Sequence, residues 1–343
     1  MTIITFKPKQ VTKHLTSVLP ERARSVLESR FGLGRNKDRL TLEAIGAIYG
    51  ITRERVRQIE NHALNAILKS DAYSKESHVF DELEELIDSL GGIVSEEDLL
   101  SAVSSNPETR NHIHFILVLG DSFKKEKEDF EFKHRWFVDR ILAEKVHDSI
   151  RKIYKDLSDS DLVSEQDIVS SFLGHLQDVS EKYKKDEIVR RWLSLSKQIA
   201  KNPLGEWGLS SSPNVCLKGM KDYAYLVIRQ HGSPLHFSEV AKKIKKMFGK
   251  EAHIATCHNE LIKDSRFVLV GRGLYALKEW GYSAGVVKDV IVDILEKHGS
   301  LTKDEIIELV LKERYVKPNT VVVNLQDNNT FKKDKKGRYS LNQ

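Results

Sequence analysis

Cysteine is scarce in this 343-residue sequence, and its two copies, Cys216 and Cys257, lie 41 positions apart with no CxxC spacing. That scarcity excludes a disulfide framework and a zinc knuckle as the basis of the fold. Long apolar runs are absent too, and Lys7, Pro8 and Lys9 stand where a signal peptide would carry its apolar core. The sequence therefore predicts a protein of the reducing cytoplasm with no membrane partner.

The short motifs of the common enzyme classes are also missing, since the chain has no phosphate-binding loop, paired-carboxylate motif or nucleophile elbow. His253, Cys257 and His258 come nearest to a metal site, but no third and fourth ligand follows nearby, and Cys257 falls on the apolar side of a predicted helix. We therefore predict a non-enzyme with no catalytic residue, no metal and no cofactor.

What the chain does contain is an ordinary balance of 31% charged and 40% hydrophobic residues. Because a chain of this length is too long for one ordinary core, we expect several small domains. The fold class predicted below is mainly α with small β-hairpins: an N-terminal helix-turn-helix domain followed by tandem winged-helix domains.

Residues 42–60 have the spacing of a helix-turn-helix. Leu42, Ile45 and Tyr49 recur at i, i+3 and i+7 on one face of a short helix. Gly50 follows at the point where a tight turn needs a positive φ. This pattern predicts two short helices joined at Gly50.

The second of these helices has an apolar face and a polar face. Val56, Ile59 and Ala63 recur at helical spacing and are predicted to face inward. Thr52 is placed to cap the helix, and Glu54 lies in the first turn, where the helix dipole favours a carboxylate. The predicted DNA-binding residues of this region are Thr52, Arg53, Glu54, Arg55, Arg57, Gln58 and Asn61.

These residue types match the major-groove code. Arginine pairs with guanine, glutamine with adenine, and glutamate accepts from cytosine, all from the first turns of the second helix. Arg55 lies to one side and suits a phosphate. The alternative is an amphipathic helix pair whose charged face is merely solvated.

The segment resembles a known family. Residues 19–33, 40–43 and 52–60 are similar to region 4 of primary bacterial sigma factors, and the likeness covers residues 18–69. The resemblance implies that Arg53, Glu54, Arg57 and Gln58 contact the upstream promoter hexamer. It also implies that an apolar cleft around Val26, Leu27 and Phe31 binds the RNA polymerase flap. Only 18 residues precede Leu19, so a complete sigma factor is not expected.

Beyond residue 75 the sequence repeats a unit of three helices and a hairpin four times. The first helices contain residues 83–87, 146–150, 224–228 and 290–294. Each copy ends on an aromatic strand, at residues 135–138, 206–209, 274–277 and 338–341. The predicted domains are therefore the head at 1–75 and four winged helices at 76–140, 141–212, 213–283 and 284–343, with candidate linkers at 70–77 and 208–214.

The third copy resembles the HARE-HTH family through residues 234–241, 258–264 and 266–277. That resemblance implies a winged helix in a nucleic-acid or transcription context. In its third helix we expect Asn259 and Lys263 to be exposed, with His253 and Thr256, and expect Ile254, Leu261 and Ile262 to lie in the core.

Arg272, between two glycines at the wing tip, is predicted together with Asn259 and Lys263 to make secondary nucleic-acid contacts. A solvated arginine in a plain hairpin turn is the alternative. The lysine run at 332–336 leaves the same two interpretations open.

Charge separates the modules. The head carries +7, the 76–140 copy −9 and the 213–283 copy +6. Since phosphate neutralisation dominates affinity for DNA, we expect the two basic modules to contact DNA and the acidic copy to bind protein or to inhibit.

We therefore predict a cytoplasmic, nucleoid-associated transcription regulator that binds double-stranded DNA sequence-specifically, with RNA polymerase, through its flap region, as a second candidate partner. Two alternatives stay open. One is a protein adaptor that binds RNA polymerase and competes with sigma region 4, and the other is the DNA-recognition component of a restriction or defence system.

Overall fold

The computed structural model describes residues 4–176, 178–282 and 286–342. Helices dominate these residues, with small antiparallel sheets between them, so the predicted fold class is confirmed. The chain divides into two compact units, an N-terminal unit of residues 1–200 with 206–211 and a C-terminal unit of residues 201–205 with 212–343. The division at 211/212 falls inside the second predicted linker.

The head is built from five helices. Gly50, at φ 63°, makes the predicted turn between the third and the fourth. The head helices are α1 (Pro8–Thr16), α2 (Glu21–Phe31), α3 (Leu42–Tyr49), α4 (Arg53–Leu68) and α5 (Asp71–Lys75).

The linker predicted at 70–77 is wrong, because α5 occupies most of it. Ser70 caps this helix by accepting a hydrogen bond from the Tyr73 amide, and Ala72 is buried. The Tyr73 hydroxyl also donates to the Leu119 carbonyl oxygen, 3.1 Å away in the next domain. A polar, serine-flanked stretch is thus held in helical form by a distant contact.

The first two winged helices complete the N-terminal unit. In the first, β3 lies between β1 and β2, and Val94 stands opposite Trp136. In the second, a single bridge between Val163 and Trp207 replaces the first strand. Their elements are α6 (Ser77–Ser89), β1 (Ile93–Ser95), α7 (Glu96–Val103), α8 (Pro107–Leu119), β2 (Lys124–Glu126) and β3 (Arg135–Phe137), then α9 (Arg140–Asp156), α10 (Glu165–His175), α11 (Asp186–Ser194), β4 (Ile199–Lys201) and β5 (Trp207–Leu209).

The C-terminal unit contains the other two winged helices, so the predicted order of elements recurs four times. The third comprises α12 (Met220–His231), β6 (Leu235–His236), α13 (Phe237–Phe248), α14 (Ile254–Lys263), β7 (Phe267–Gly271) and β8 (Leu274–Leu277). The fourth comprises α15 (Val287–His298), β9 (Leu301–Thr302), α16 (Lys303–Glu313), α17 (Pro318–Asn324), β10 (Phe331–Lys333) and β11 (Arg338–Leu341).

The head and the acidic first winged helix share one hydrophobic core. Leu27 and Phe31 of α2 belong to the same buried cluster as Leu83 of α6 and Phe115 of α8. The rings of Phe31 and Phe115 meet edge to face, with their centroids 5.2 Å apart. Residues 1–75 and 76–140 therefore form one packed body instead of two beads on a linker.

Polar contacts reinforce this shared core. The buried Asn111 side chain donates to the carbonyl oxygens of Gly32 (3.1 Å) and Lys37 (2.8 Å) and accepts from Arg39 Nε (2.8 Å). Glu108 accepts from Lys37 Nζ at 2.7 Å and Lys9 Nζ at 3.0 Å, and these bonds lower the pKa of Glu108 to about 2. The acidic domain thus neutralises part of the basic head.

We expect Asn111→Ala to loosen both partners of this core. The substitution leaves the Gly32 and Lys37 carbonyl oxygens without their buried donor, which costs about 1–3 kcal/mol. Hydrogen–deuterium exchange on the full chain should become faster in α2 and in α8 together. Asn65→Ala, at an exposed position of α4, is the control and should change neither. Faster exchange confined to α8 would contradict a shared unit.

His147 of α9 is a buried neutral histidine. Its ring packs 4.4 Å from that of Phe132. Burial lowers the pKa of His147 to about 4, with the guanidinium groups of Arg135 and Arg151 contributing to the same shift. Its folded-state pKa therefore lies below the ordinary value of 6.5.

Acid should consequently weaken the second winged helix. Between pH 6.5 and pH 4 the unfolded chain binds a proton at His147 that the folded chain does not bind, so stability is full above pH 6.5 and falls as the pH drops. We expect the melting temperature of wild type to fall by a few degrees more over this range than that of His147→Gln. Parallel curves for the two proteins, measured by differential scanning calorimetry, would rule out this role.

Candidate nucleic-acid interface

The turn between α3 and α4 is built by local chemistry. Thr41 and Thr52 cap the two helices by accepting from the amides of Ala44 and Arg55, each at 3.2 Å. Gly46 in α3 was not singled out from the sequence, yet a Cβ there would lie 2.6 Å from the Ile51 carbonyl oxygen. The two helices approach closely because Gly46 has no side chain.

Two separate clusters fix the position of α4. Its first half packs through Val56 against Val26 and Ile45, in a core that belongs to the head. Its second half places Ala63 and Ile67 in the core shared with the acidic domain. The acidic domain therefore holds the helix by its later turns and leaves the first turns uncovered.

The predicted polar face is exposed as a set. The structure brings it together on the first turns of α4, and its members are Thr52, Arg53, Glu54, Arg55, Arg57, Gln58 and Asn61. A base-reading helix requires such a face, and no element of the described N-terminal unit covers it.

The side chains of this face pair with one another and with α3. Arg57 donates Nε and Nη2 to the two carboxylate oxygens of Glu54, at 2.9 and 2.6 Å. The hydrogen bond from Arg57 lowers the pKa of Glu54, and the pKa of Arg57 is raised in turn. Arg53 pairs with Glu43 of α3 at 2.8 Å, a partner that the sequence did not suggest. Both carboxylates reduce the positive charge offered to a duplex.

A groove flanks the exposed face. It has a volume of about 510 Å³ and lies between α2 and α4. Arg22, Arg55 and His62 line it together with Gln58. Cationic side chains beside a base-reading helix suit the phosphate backbone. Sequence reasoning identified Arg55 for that role but missed Arg22 and His62, because only the fold brings α2 next to α4.

The residues assigned to polymerase are not on the surface. Val26 and Leu27 are 0% exposed and Phe31 is 5% exposed. Val26 lies in the core of the head, whereas Leu27 and Phe31 lie in the core shared with α8. In this arrangement the apolar cleft expected around them is already filled by the chain itself.

In the third winged helix Thr256, Asn259 and Lys263 are exposed on α14, as expected. Leu261 is buried, but the prediction for Ile254 and Ile262 is wrong, because they are 48% and 61% exposed. The helix begins at Ile254, and its inward positions are Cys257 and Leu261, one turn apart. Burial raises the pKa of the Cys257 thiol to about 11, which suits an inert core position.

The wing tip of this domain is tightly confined. Arg272 is exposed between two glycines that other groups approach closely. A Cβ on Gly271 would lie 2.7 Å from the Tyr315 carbonyl oxygen, and one on Gly273 would lie 2.5 Å from His236 Nε2. The Tyr315 amide also donates to the Val270 carbonyl oxygen at 2.9 Å, which joins the wing to the fourth domain.

Comparison with known proteins supports two segments of this description. Residues 17–68 match the family model of sigma-70, region 4. Residues 218–280 match that of HARE-HTH, the ASXL and restriction endonuclease HTH domain. The RNA polymerase sigma factor SigA of Bacillus sp is 44% identical over 59 residues, which are 17% of this chain and 15% of that sigma factor. Both predicted resemblances are confirmed.

The matched domains are helix-turn-helix domains of DNA-binding types and not enzymatic ones, which supports a DNA-binding role. Across the described residues no group of three histidine, cysteine or acidic side chains could hold a metal ion. No helix there has the length and apolar character needed to cross a membrane.

The Arg57–Glu54 pair leads to a prediction. Glu54→Ala removes a negative charge from the DNA-facing surface and frees Arg57, so affinity for a scrambled duplex should rise. Discrimination at the base that Glu54 reads should fall by about 1–3 kcal/mol. Glu85→Ala removes an equal charge from the acidic domain and serves as the control. Unchanged binding of Glu54→Ala in fluorescence anisotropy would show that this face does not meet DNA.

Proposed function

We propose that the protein is a sequence-specific, double-stranded DNA-binding transcription regulator whose head reads a promoter-type site. The observation that carries the proposal is a contrast within the head. The residues suited to bases are all exposed on the first turns of α4, whereas the apolar residues suited to a protein partner, Val26, Leu27 and Phe31, are buried.

The proposed reading residues have distinct tasks. Arg53 and Arg57 pair with guanine, and Gln58 pairs with adenine, through two hydrogen bonds each. Glu54 accepts from cytosine and orients Arg57 through the bonds they already share. Each matched pair accounts for about 1–3 kcal/mol of discrimination against the wrong base.

Phosphate contacts would fix the register of the head on the duplex. We assign these contacts to Arg55, Arg22 and His62 along the groove between α2 and α4. Such contacts carry little sequence information but supply salt-dependent affinity. The +7 charge of residues 1–75 agrees with this role and with a place in the nucleoid.

Association with RNA polymerase is the second candidate function, and the resemblance to sigma region 4 is what favours it. A polymerase flap that used the cleft around Leu27 and Phe31 would first have to displace α8. Breaking that contact exposes Phe115 and removes the Asn111 hydrogen bonds. The adaptor function therefore needs an opened form of the N-terminal unit, whereas DNA reading needs no rearrangement.

Fluorescence anisotropy tests the proposal on the full chain. A labelled duplex with a sigma-type upstream hexamer is compared with a scrambled duplex over a salt series. We expect wild type to prefer the hexamer and Arg53→Ala/Arg57→Ala to lose at least about tenfold of that preference, since each arginine reads a base.

The matched control is Lys152→Ala/Lys155→Ala, which removes two exposed positive charges from α9. This variant should keep the preference of wild type. Equal binding of the hexamer and scrambled duplexes by wild type would reject base reading, and pull-down of RNA polymerase by an Asn111→Ala chain, but not by wild type, would favour the adaptor.

A further inference from the structure

The second helix of each winged domain occupies the same place in the fold but differs in charge. Helix α7 carries three carboxylates and no lysine or arginine. Helix α10 carries two carboxylates and no lysine or arginine, and in α16 four carboxylates outnumber two lysines. Helix α13 reverses the pattern, with four lysines and one glutamate. The fold does not require this charge, because three equivalent helices do without it.

The lysines of α13 lie on its outward side. Val240, Ala241 and Ile244 are buried and define the opposite, inward side. Lys242, Lys245 and Lys246 are exposed, and Lys243 is partly exposed at the edge of the same surface. We call these four residues the α13 face. Their i, i+3 and i+4 spacing places neighbouring ammonium groups within one or two turns of one another.

Only part of this charge is neutralised within the domain. Lys242 pairs with Glu239 and Lys245 with Glu251, each at 2.7 Å. In the part of the chain that the structure describes, neither Lys243 nor Lys246 forms an ion pair. The α13 face therefore keeps a net positive charge that a polyanion can neutralise.

The face continues beyond the end of the helix. Lys250 Nζ lies 4.5 Å above the ring of Tyr223, and that ring meets Phe248 edge to face at 5.2 Å. This packing holds a fifth ammonium group next to the other four. Lysines near a helix C-terminus also offset the helix dipole, which accounts for Lys245 and Lys246. It does not account for Lys242 and Lys243, which lie earlier in the helix.

The third helix is a poorer match to phosphate. On α14 the single Lys263 is balanced by Glu260, and Ile254 and Ile262 are the large exposed side chains. A duplex placed against α14 would bury these apolar groups against its backbone and gain little charge neutralisation. The positive charge of residues 213–283 is thus concentrated on α13 and not where the sequence predicted the contacts.

We propose that the α13 face is a second nucleic-acid site, which binds the phosphate backbone of double-stranded DNA without reading its sequence. The site does not depend on base reading by the head. It adds affinity for any duplex, whereas α4 supplies preference for one.

The test uses the full chain in the Arg53→Ala/Arg57→Ala background, with a scrambled duplex. The variant is Lys242→Gln/Lys243→Gln/Lys246→Gln, whose side chains are on the surface and whose replacements have nearly the same helix propensity. Each phosphate contact contributes about 0.9 to the slope of log K against log salt. We expect the slope to become shallower by about 2–3.

The control is Lys152→Gln/Lys155→Gln/Lys185→Gln, which removes three exposed charges from the second winged helix. It should leave the slope almost unchanged. An α13 variant whose slope equals that of the control would overturn the proposal. With the head intact, the α13 variant should weaken hexamer and scrambled duplexes equally, so its result is separable from failure of base reading, which removes only the preference.

Discussion

The docking of α8 against the end of α2 is the contact on which the N-terminal unit depends. Helix α2 ends at Gly32, which adopts φ 65°, and a Cβ there would lie 2.4 Å from the Lys37 carbonyl oxygen. The loop that follows turns its carbonyl groups inward, and Asn111 of α8 satisfies two of them. Because α4 contributes Ala63 and Ile67 to the same core, the docking also sets the direction of the exposed face.

Charge has a complementary part in this arrangement. A −9 domain bound to a +7 head would weaken DNA binding if it lay across α4, but its ion pairs are made by Lys9 and Lys37, away from the polar face. Its repulsion of phosphate therefore discourages a duplex from approaching on the wrong side. The acidic domain both supports the head and restricts its orientation on DNA.

Features set by near neighbours could be predicted from the sequence, including the turn at Gly50, the cap at Thr52 and the inward position of Val56. Errors arose where distant contacts decide. Residues 70–77 resemble a linker because the Leu119 partner of Tyr73 is 46 positions away. Ile254 and Ile262 are apolar, yet the helix start puts them outside. The contacts of Asn111 with the head could not be foreseen, since no periodicity links residues 79 positions apart.

The same separation affects synthesis of the chain. The head emerges from the ribosome first, but the side chain that satisfies its loop follows 79 residues after Gly32. At a synthesis rate of about 5–20 residues per second, the head waits several seconds with the edges of Leu27 and Phe31 uncovered. A nascent chain in that interval offers an apolar surface that the finished protein conceals. Chaperone binding and misassembly would therefore be concentrated before residue 119 leaves the exit tunnel.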